Sequence, residues 1–448
     1  MTSKSILLFA LSVLGIISAK AQEKTVLSLN DAVQIALSKS DESKLADSKV
    51  NTKSFELQST KMKQYPDLKI SGQYYPLTNA DVNLKSTQEA SSTPGNASAN
   101  TSPKVNQLIL GQANLGIPLF SGFKIKNSIA LSDNIYKAEM ANASYTKENL
   151  ALRVIEYYAS LYKAQKSVEL LDENLISSNQ RVKDFLATEE NGLLARNDLL
   201  KAQLQSSQIE LSLAEAKKNV KLLNFNLITL LKLDASTEIE VSPENVDANL
   251  FNFKPSSENE AMQNRKDLEA IHFQEKALEA GVKVAKGDYY PSVNLVAGYT
   301  TLDLQNVVRV ENAMNFGVGV SYDLSSIFKN GKQVKAAKSR LEETHFQEAA
   351  LTDQIKSQIV EAQENYTLAQ KQDELYKQSV LQTIENYRIV KDKYDNGLVD
   401  TNDLLEANVQ DLTAKINQAY AKANVVLKYY ELLNANGQLT QSFNSINK

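Results

Sequence analysis

Two hydrophobic periods alternate along the chain. Residues 28–64 carry apolar positions at helical spacing, with Ala32, Ile35, Ala36 and Leu37 on one face and Ser28 or Asn30 as a cap. Tyr65-Pro66 stops this helix, because the residue before a proline is pushed toward extended geometry. The period then drops to two. Leu68, Ile70, Gly72 and Tyr74 alternate with Asp67, Lys69, Ser71 and Gln73, which predicts a strand over 67–77. Residues 78–107, rich in Ser, Thr, Asn, Ala, Gly and Pro, read as a long loop. A second strand, 108–118, sets Ile109, Gly111, Ala113, Leu115 and Ile117 against Leu110, Gln112, Asn114 and Gly116.

From about Phe123 to Glu190 the helical period returns. Leu150, Tyr157, Ala164, Leu171 and Phe185 fall in one register of seven, and Val154, Leu161, Val168, Leu175 and Val182 in the other. A 3.5-residue repeat of this kind makes a left-handed coiled coil. Residues 191–197 turn the chain and a helix returns to about Lys232. Residues 233–256, with Pro243 and Pro255, read as a linker. The series then repeats: a helix over 257–288 ending at Tyr290-Pro291, strands over 292–302 and 312–323, a long helix over 332–395, a turn at 396–402, a last helix to Asn436-Gly437, and a polar tail.

The repetition extends to residue identity. NGLLARNDLLKAQLQ at 191–205 and NGLVDTNDLLEANVQ at 396–410 share nine of fifteen positions without a gap. The chain therefore divides into a first structural repeat, 22–232, and a second, 257–448. Offsets between matched positions place about 22 extra residues in the 78–107 loop, which suits an outward-facing segment.

Composition narrows the setting. Residues 1–21, with Lys4, an apolar run over 6–17 and Ala19-Lys20-Ala21, have the grammar of a signal peptide. An N-terminal membrane anchor is the competing reading, although the run is short for a span of about 20 residues. Without Lys4 and Lys20 the chain has 47 basic and 53 acidic residues, a net charge of −6, which argues against a nucleic-acid partner. There is no Cys, which excludes disulfides, thiolate metal sites and an N-terminal lipid on Cys. After residue 21 no stretch approaches 18 consecutive apolar residues, so any membrane crossing falls to the strands. Trp is absent, but nineteen Tyr and thirteen Phe can supply the aromatic girdles of a membrane barrel. Four two-faced strands cannot close a barrel alone, and open edges are not tolerated in lipid. The chain must oligomerise, unless the strands are two hairpins half-buried in a soluble domain.

At this level the chain resembles the TolC-like outer-membrane efflux proteins over essentially its whole mature length. The resemblance rests on LNDAVQIAL at 29–37, the two Tyr-Pro helix ends, IPLFSG at 117–122 and the twin NGL…NDLL turns. Arg265-Lys266-Asp267-Leu268 departs from the family, which usually has Pro second. The resemblance implies a mainly α chain with a membrane β-barrel. A homotrimer would close a twelve-strand barrel over a long coiled-coil α-helical barrel. It also implies an exit duct for efflux or type I secretion, in the outer membrane and extending into the periplasm, with a periplasmic adaptor and an inner-membrane transporter as partners. No covalent chemistry and no cofactor are implied.

The resemblance assigns roles at the two turns. Gly192-Leu193 and Gly397-Leu398 match the family's exposed docking motif for the adaptor, although a helix-breaking Gly followed by a capping hydrophobe explains them too. Asp403 and Glu406 match two acidic positions lining the periplasmic entrance, where three chains would stack two carboxylate rings. A solvated acidic first turn is the plainer alternative. Tyr394 matches a residue that ties the second hairpin to Asp198 and holds the entrance shut, or it is a heptad core residue. The family's Arg partner falls at Val399 and is missing, which either weakens the closed state or leaves Arg196 on the other tip to compensate. His272 and His345 lie in separate helical stretches with no ligand spacing and read as helix-surface residues. No phosphate loop, nucleophile elbow or metal motif appears. A non-channel periplasmic coiled-coil adaptor or scaffold is the alternative function, and the two-faced strands argue against it.

Overall fold

The structure is a computed structural model that describes residues 24–80, 104–241 and 257–445. The expected leader over 1–21, most of the 78–107 loop and most of the 233–256 linker lie outside the described residues. The chain forms two compact units, one of Met1–Val50, Met140–Ala270 and Glu348–Lys448, the other of Asn51–Glu139 and Ile271–Gln347.

The first unit is built on helices. Strand β1 (Lys24–Leu27) leads into α1 (Leu29–Lys39) and α2 (Asp41–Met62). The single helix expected over 28–64 is broken at Ser40, which is extended at φ −63° and ψ 148°. Its hydroxyl accepts from the Ser43 amide, and the Ser43 hydroxyl donates to Leu37 O, so side chains take over bonds the helix would have made. Helices α3 (Lys124–Glu190) and α4 (Arg196–Leu231) form the first hairpin. Strand β4 (Glu238–Val241) follows and pairs in parallel with β1. The sequence reading took this stretch as linker; the correction is that Ile239 and Val241 are buried while side chains on the hairpin hold the strand's backbone. Gln165 donates to Ile239 O at 2.8 Å and accepts from the Val241 amide, and Asn224 accepts from the Ile239 amide at 2.8 Å. Four alternating residues are too few to read as a strand without those partners.

Helices α5 (Glu258–Asn264) and α6 (Lys266–Lys286) are likewise separate where one helix was expected. Arg265, extended between them, is buried and makes a bidentate ion pair with Asp267. Its guanidinium also donates to Gln358 and to Ala435 O. A second hairpin, α7 (Ser326–Asp395) and α8 (Thr401–Ala435), ends in α9 (Leu439–Ser445). The tail is therefore not simply polar. Leu439 and Phe443 are fully buried, and the Phe443 ring stacks on Tyr430 at 5.3 Å. Burial pushes the Tyr430 hydroxyl up to about 12. These residues join the unit's main core with Leu150, Val154, Leu161, Leu227 and Leu433.

The second unit carries the strands. β2 (Asp67–Ala80), β3 (Val105–Ser121), β5 (Ser292–Leu304) and β6 (Val308–Ser321) form one antiparallel sheet in the order β2-β3-β5-β6. The strands are a few residues longer than the alternation predicts. The register aligns the predicted faces across all four. Leu68, Leu115, Ala297 and Phe316 form one row, and Ile70, Ala113, Tyr299 and Met314 another. Lys69, Asn114, Gly298 and Asn315 form a row on the opposite face. The apolar side is bare in the single chain, with Ile70 80% and Phe316 92% exposed. Gly122, at φ +62°, turns β3 into α3, and a Cβ there would lie 2.3 Å from Gly287 O. The Gly in IPLFSG thus has a steric reason.

Candidate functional site

The two hairpin tips, both in the first unit, have one backbone design. Gly192 and Gly397 each sit at φ +72°. At the first tip the Gly192 amide bonds to Glu189 O and the Leu193 amide to Thr188 O; at the second the Gly397 amide bonds to Tyr394 O and the Leu398 amide to Lys393 O. This pair of bonds is the Schellman motif, which satisfies the last carbonyls of a helix and calls for Gly at the left-handed position. The leucine that follows normally closes such a motif by packing on its helix. Here Leu193 is 80% and Leu398 73% exposed, so neither serves as a capping hydrophobe. No atom lies within 4 Å of a Cβ built at either glycine.

The restarts after the tips differ. Asp400 caps α8: its carboxylate accepts from the Asn402 and Asp403 amides, and the Asp403 carboxylate reaches back to the Asp400 amide at 3.4 Å. Asp400 was not singled out from the sequence, although its place three residues before an acid is the spacing of a capping box. Ala195, the matching residue before α4, makes no side-chain cap. Asp198 accepts an ion pair from Lys201 at 3.2 Å, and Arg196 pairs with Glu189 across its own turn at 3.4 Å. At the first tip Arg196 and Lys201 thus leave one acid in excess, Glu190. At the second tip Glu406, the counterpart of Lys201, adds a carboxylate; it is exposed and accepts from Gln410 at 3.0 Å. The approach along α7 sets Arg388, Lys391 and Lys393 against Glu385, Asp392 and Asp395, with Arg388 bridging Glu385 and Asp392 and Lys391 pairing with Asp395. The acidic excess therefore belongs to Asp400, Asp403 and Glu406.

Tyr394 stacks on Phe185 with ring centroids 5.8 Å apart. Both belong to a cluster with Leu199, Ala202, Leu404, Tyr387 and Val390 that binds the hairpins together at the tips. In this chain the Asp198 carboxylate meets Lys201, and Tyr394 meets Phe185. A second cluster, Leu171, Ile209, Leu213 and Ala216, lies further along. Polar contacts separate the two: Arg181 donates to the Tyr387 hydroxyl at 2.9 Å, Ser206 to Asn179 at 2.7 Å, and Asn174 approaches Asn408 at 3.5 Å.

The tips thus present two exposed leucines and, at the second, an excess of carboxylates. A family model described as outer membrane efflux protein matches residues 54–231 and 258–438. The outer membrane efflux protein BepC of Brucella suis biovar 1 is 22% identical over 324 residues, covering 72% of this chain and 70% of BepC. Among solved structures, the outer-membrane channel OprN superposes with a TM-score of 0.78 at 17% identity, over 91% of this chain and 89% of OprN. The outer membrane protein VceC from Vibrio cholerae superposes with a TM-score of 0.77 at 17% identity, over 91% and 96%.

Proposed function

The chain belongs to the outer membrane efflux protein family, and on that premise we propose that three copies close one duct whose six hairpin tips dock a periplasmic adaptor. Membership makes the protein an outer-membrane exit channel of efflux systems that extends into the periplasm, works with an adaptor and an inner-membrane transporter, and is not an enzyme.

The observation that carries the trimer is the sheet. Its four strands leave β2 and β6 as open edges, and its apolar face is bare. Backbone groups at such edges have no water to bond in lipid, so β6 of one copy must pair with β2 of the next. Three copies give twelve strands. A second surface supports this closure: Leu200, Leu204, Leu211, Leu222 and Phe225 form an exposed stripe on one face of α4, suited to a helix of a neighbouring copy. At the tips, the unused side chains of Leu193 and Leu398 favour adaptor docking over helix capping. Asp403 and Glu406, with Asp400 beside them, would form stacked acidic rings at the mouth, while Tyr394, Asp198 and Arg196 set how firmly it closes.

Photo-crosslinkers placed beside Gly192 and Gly397 in cells test the docking, and unheated gel electrophoresis of outer-membrane fractions tests the trimer. The expected result is a heat-sensitive trimer that captures one periplasmic adaptor from both tips. A monomer that runs alike heated and unheated, or crosslinks only between copies of this chain, overturns the reading.

A further inference from the structure

The last row of the sheet before the helices is made of serines. Ser121 of β3 pairs with Ser292 of β5, which pairs with Ser321 of β6. The neighbouring row, Phe120, Val293 and Val320, is apolar, so the alternation of a strand puts the serines on the polar face. These serines line a cavity of about 360 Å³ that lies wholly within the second unit. Its other walls come from the start of α3, the turn Gly287–Tyr289 with Tyr290, and the first two turns of α7. The volume falls in the range of about 300–1,000 Å³ used by small-molecule sites.

The frame of the cavity is locked. Lys124 is ion-paired with Asp288. The Ser326 hydroxyl donates to Asp288 O at 2.9 Å and to Asp323 O at 2.6 Å, and Asn330 Nδ2 donates to Ala285 O at 2.7 Å. A Cβ on Gly287 would lie 2.4 Å from Lys124 Cγ, so the two turns meet without slack. The lining, by contrast, is largely unused. Among the described residues the Lys329 ammonium, the Gln333 carboxamide and the Ser121 hydroxyl make no hydrogen bond or ion pair. Asp323 accepts from the Ser325 amide and hydroxyl through one oxygen, Oδ1. Asn330 is 2% exposed, and its Oδ1 has no partner. A buried acceptor in that state calls for a donor.

These free groups define the ligand. Lys124 and Asp288 satisfy each other, which leaves one charge of each sign, Lys329 and Asp323. A ligand with net charge would match one and oppose the other. Donors on Lys329, Gln333 and Ser121 stand among acceptors on Asp323, Asn330 and Gln333. A hydroxyl is both donor and acceptor, so an uncharged molecule rich in hydroxyls meets both sets. Tyr290, 52% exposed and held T-shaped against Phe123 at 6.0 Å between centroids, adds an apolar surface for the C–H face of a sugar ring.

We propose that this cavity binds a neutral saccharide, one per chain. On the duct reading above, the polar face of the sheet lines the lumen, so sugar-bearing cargo meets the site where the helices give way to the barrel.

The test titrates full-length protein by calorimetry with glucose, maltose and sucrose, using gluconate and glucosamine as charged controls. The detergent is dodecyldimethylamine oxide, which has no sugar headgroup. Saturable binding of a neutral sugar is expected, one per chain, with weaker binding of both controls. Lys329→Met should weaken it about tenfold, the loss of a charge-assisted hydrogen bond, and Gln333→Leu about fivefold. Both side chains are exposed and without partners, so unheated gel mobility should not change. No saturable binding of any of the three sugars, undiminished binding in the Lys329→Met/Gln333→Leu double variant, or tighter binding of gluconate or glucosamine overturns the proposal. Block of single-channel current by the same sugar tests the lumen separately: binding without block upholds the site and overturns its placement in a duct.

Discussion

Gly192 and Gly397 show how much a single backbone angle can decide. Each occupies the left-handed region with open space around it, so replacement by Val strains the backbone by about 1–2 kcal/mol while its Cβ meets no other part of the chain within 4 Å. The Gly192→Val/Gly397→Val double variant should keep its trimer level and lose efflux, measured as drug susceptibility in cells. Full resistance at normal protein level would remove the tips from adaptor docking. Glu148 offers a pH test. Burial raises its carboxyl above the ordinary value, against the hydrogen bond from Thr440. A raised acid favours the fold below its ordinary pKa, and that contribution is lost as pH rises through the raised value. Glu148→Gln should therefore melt higher than the parent at pH 7 and converge with it near pH 4.

Among the elements, the two returning helices of the hairpins make a natural comparison. α8 has the Asp400 cap and α4 has none. Asp400→Ala should cost about 1 kcal/mol and expose the Asn402 and Asp403 amides to faster hydrogen exchange. Ala195→Asp should slow exchange in the first turn of α4. Unchanged exchange in both would mean that packing of Leu199 and Leu404 alone sets these helix starts. The broken helices carry a related lesson. Period and proline placed the ends at Tyr65-Pro66 and Tyr290-Pro291 correctly. The interruptions at Ser40 and Arg265 escaped, because each is fixed by partners elsewhere: Leu37 and Ser43 for the first, Asp267, Gln358 and Ala435 for the second.

For the whole molecule, charge at the proposed mouth is where transport roles separate from stability. Lys201 pairs with Asp198 at the first tip, whereas its counterpart Glu406 adds a third carboxylate to Asp400 and Asp403 at the second. Stacked carboxylate rings attract cations, so Asp403→Ala with Glu406→Ala should reduce cation selectivity and weaken cation block in single-channel recordings. Equal selectivity in the double variant would reduce both residues to a solvated first turn. The same comparison in high salt should shrink the difference, because exposed charges are screened over about 10 Å at 0.1 M.

The sequence by itself determined what depends on local period and steric demand. Alternation of two set the four strands and their faces, the heptads set the long helices, and the Asn-Gly turns set the tips. The duplicated NGL…NDLL stretch marked the two hairpin tips. Tertiary structure decided what depends on residues far apart in the chain. It paired β1 with β4 through Gln165 and Asn224, and folded Leu439 and Phe443 back into the core. It also turned Tyr394 onto Phe185. Periodicity reports which face of an element a residue occupies, and only packing reports what that face meets.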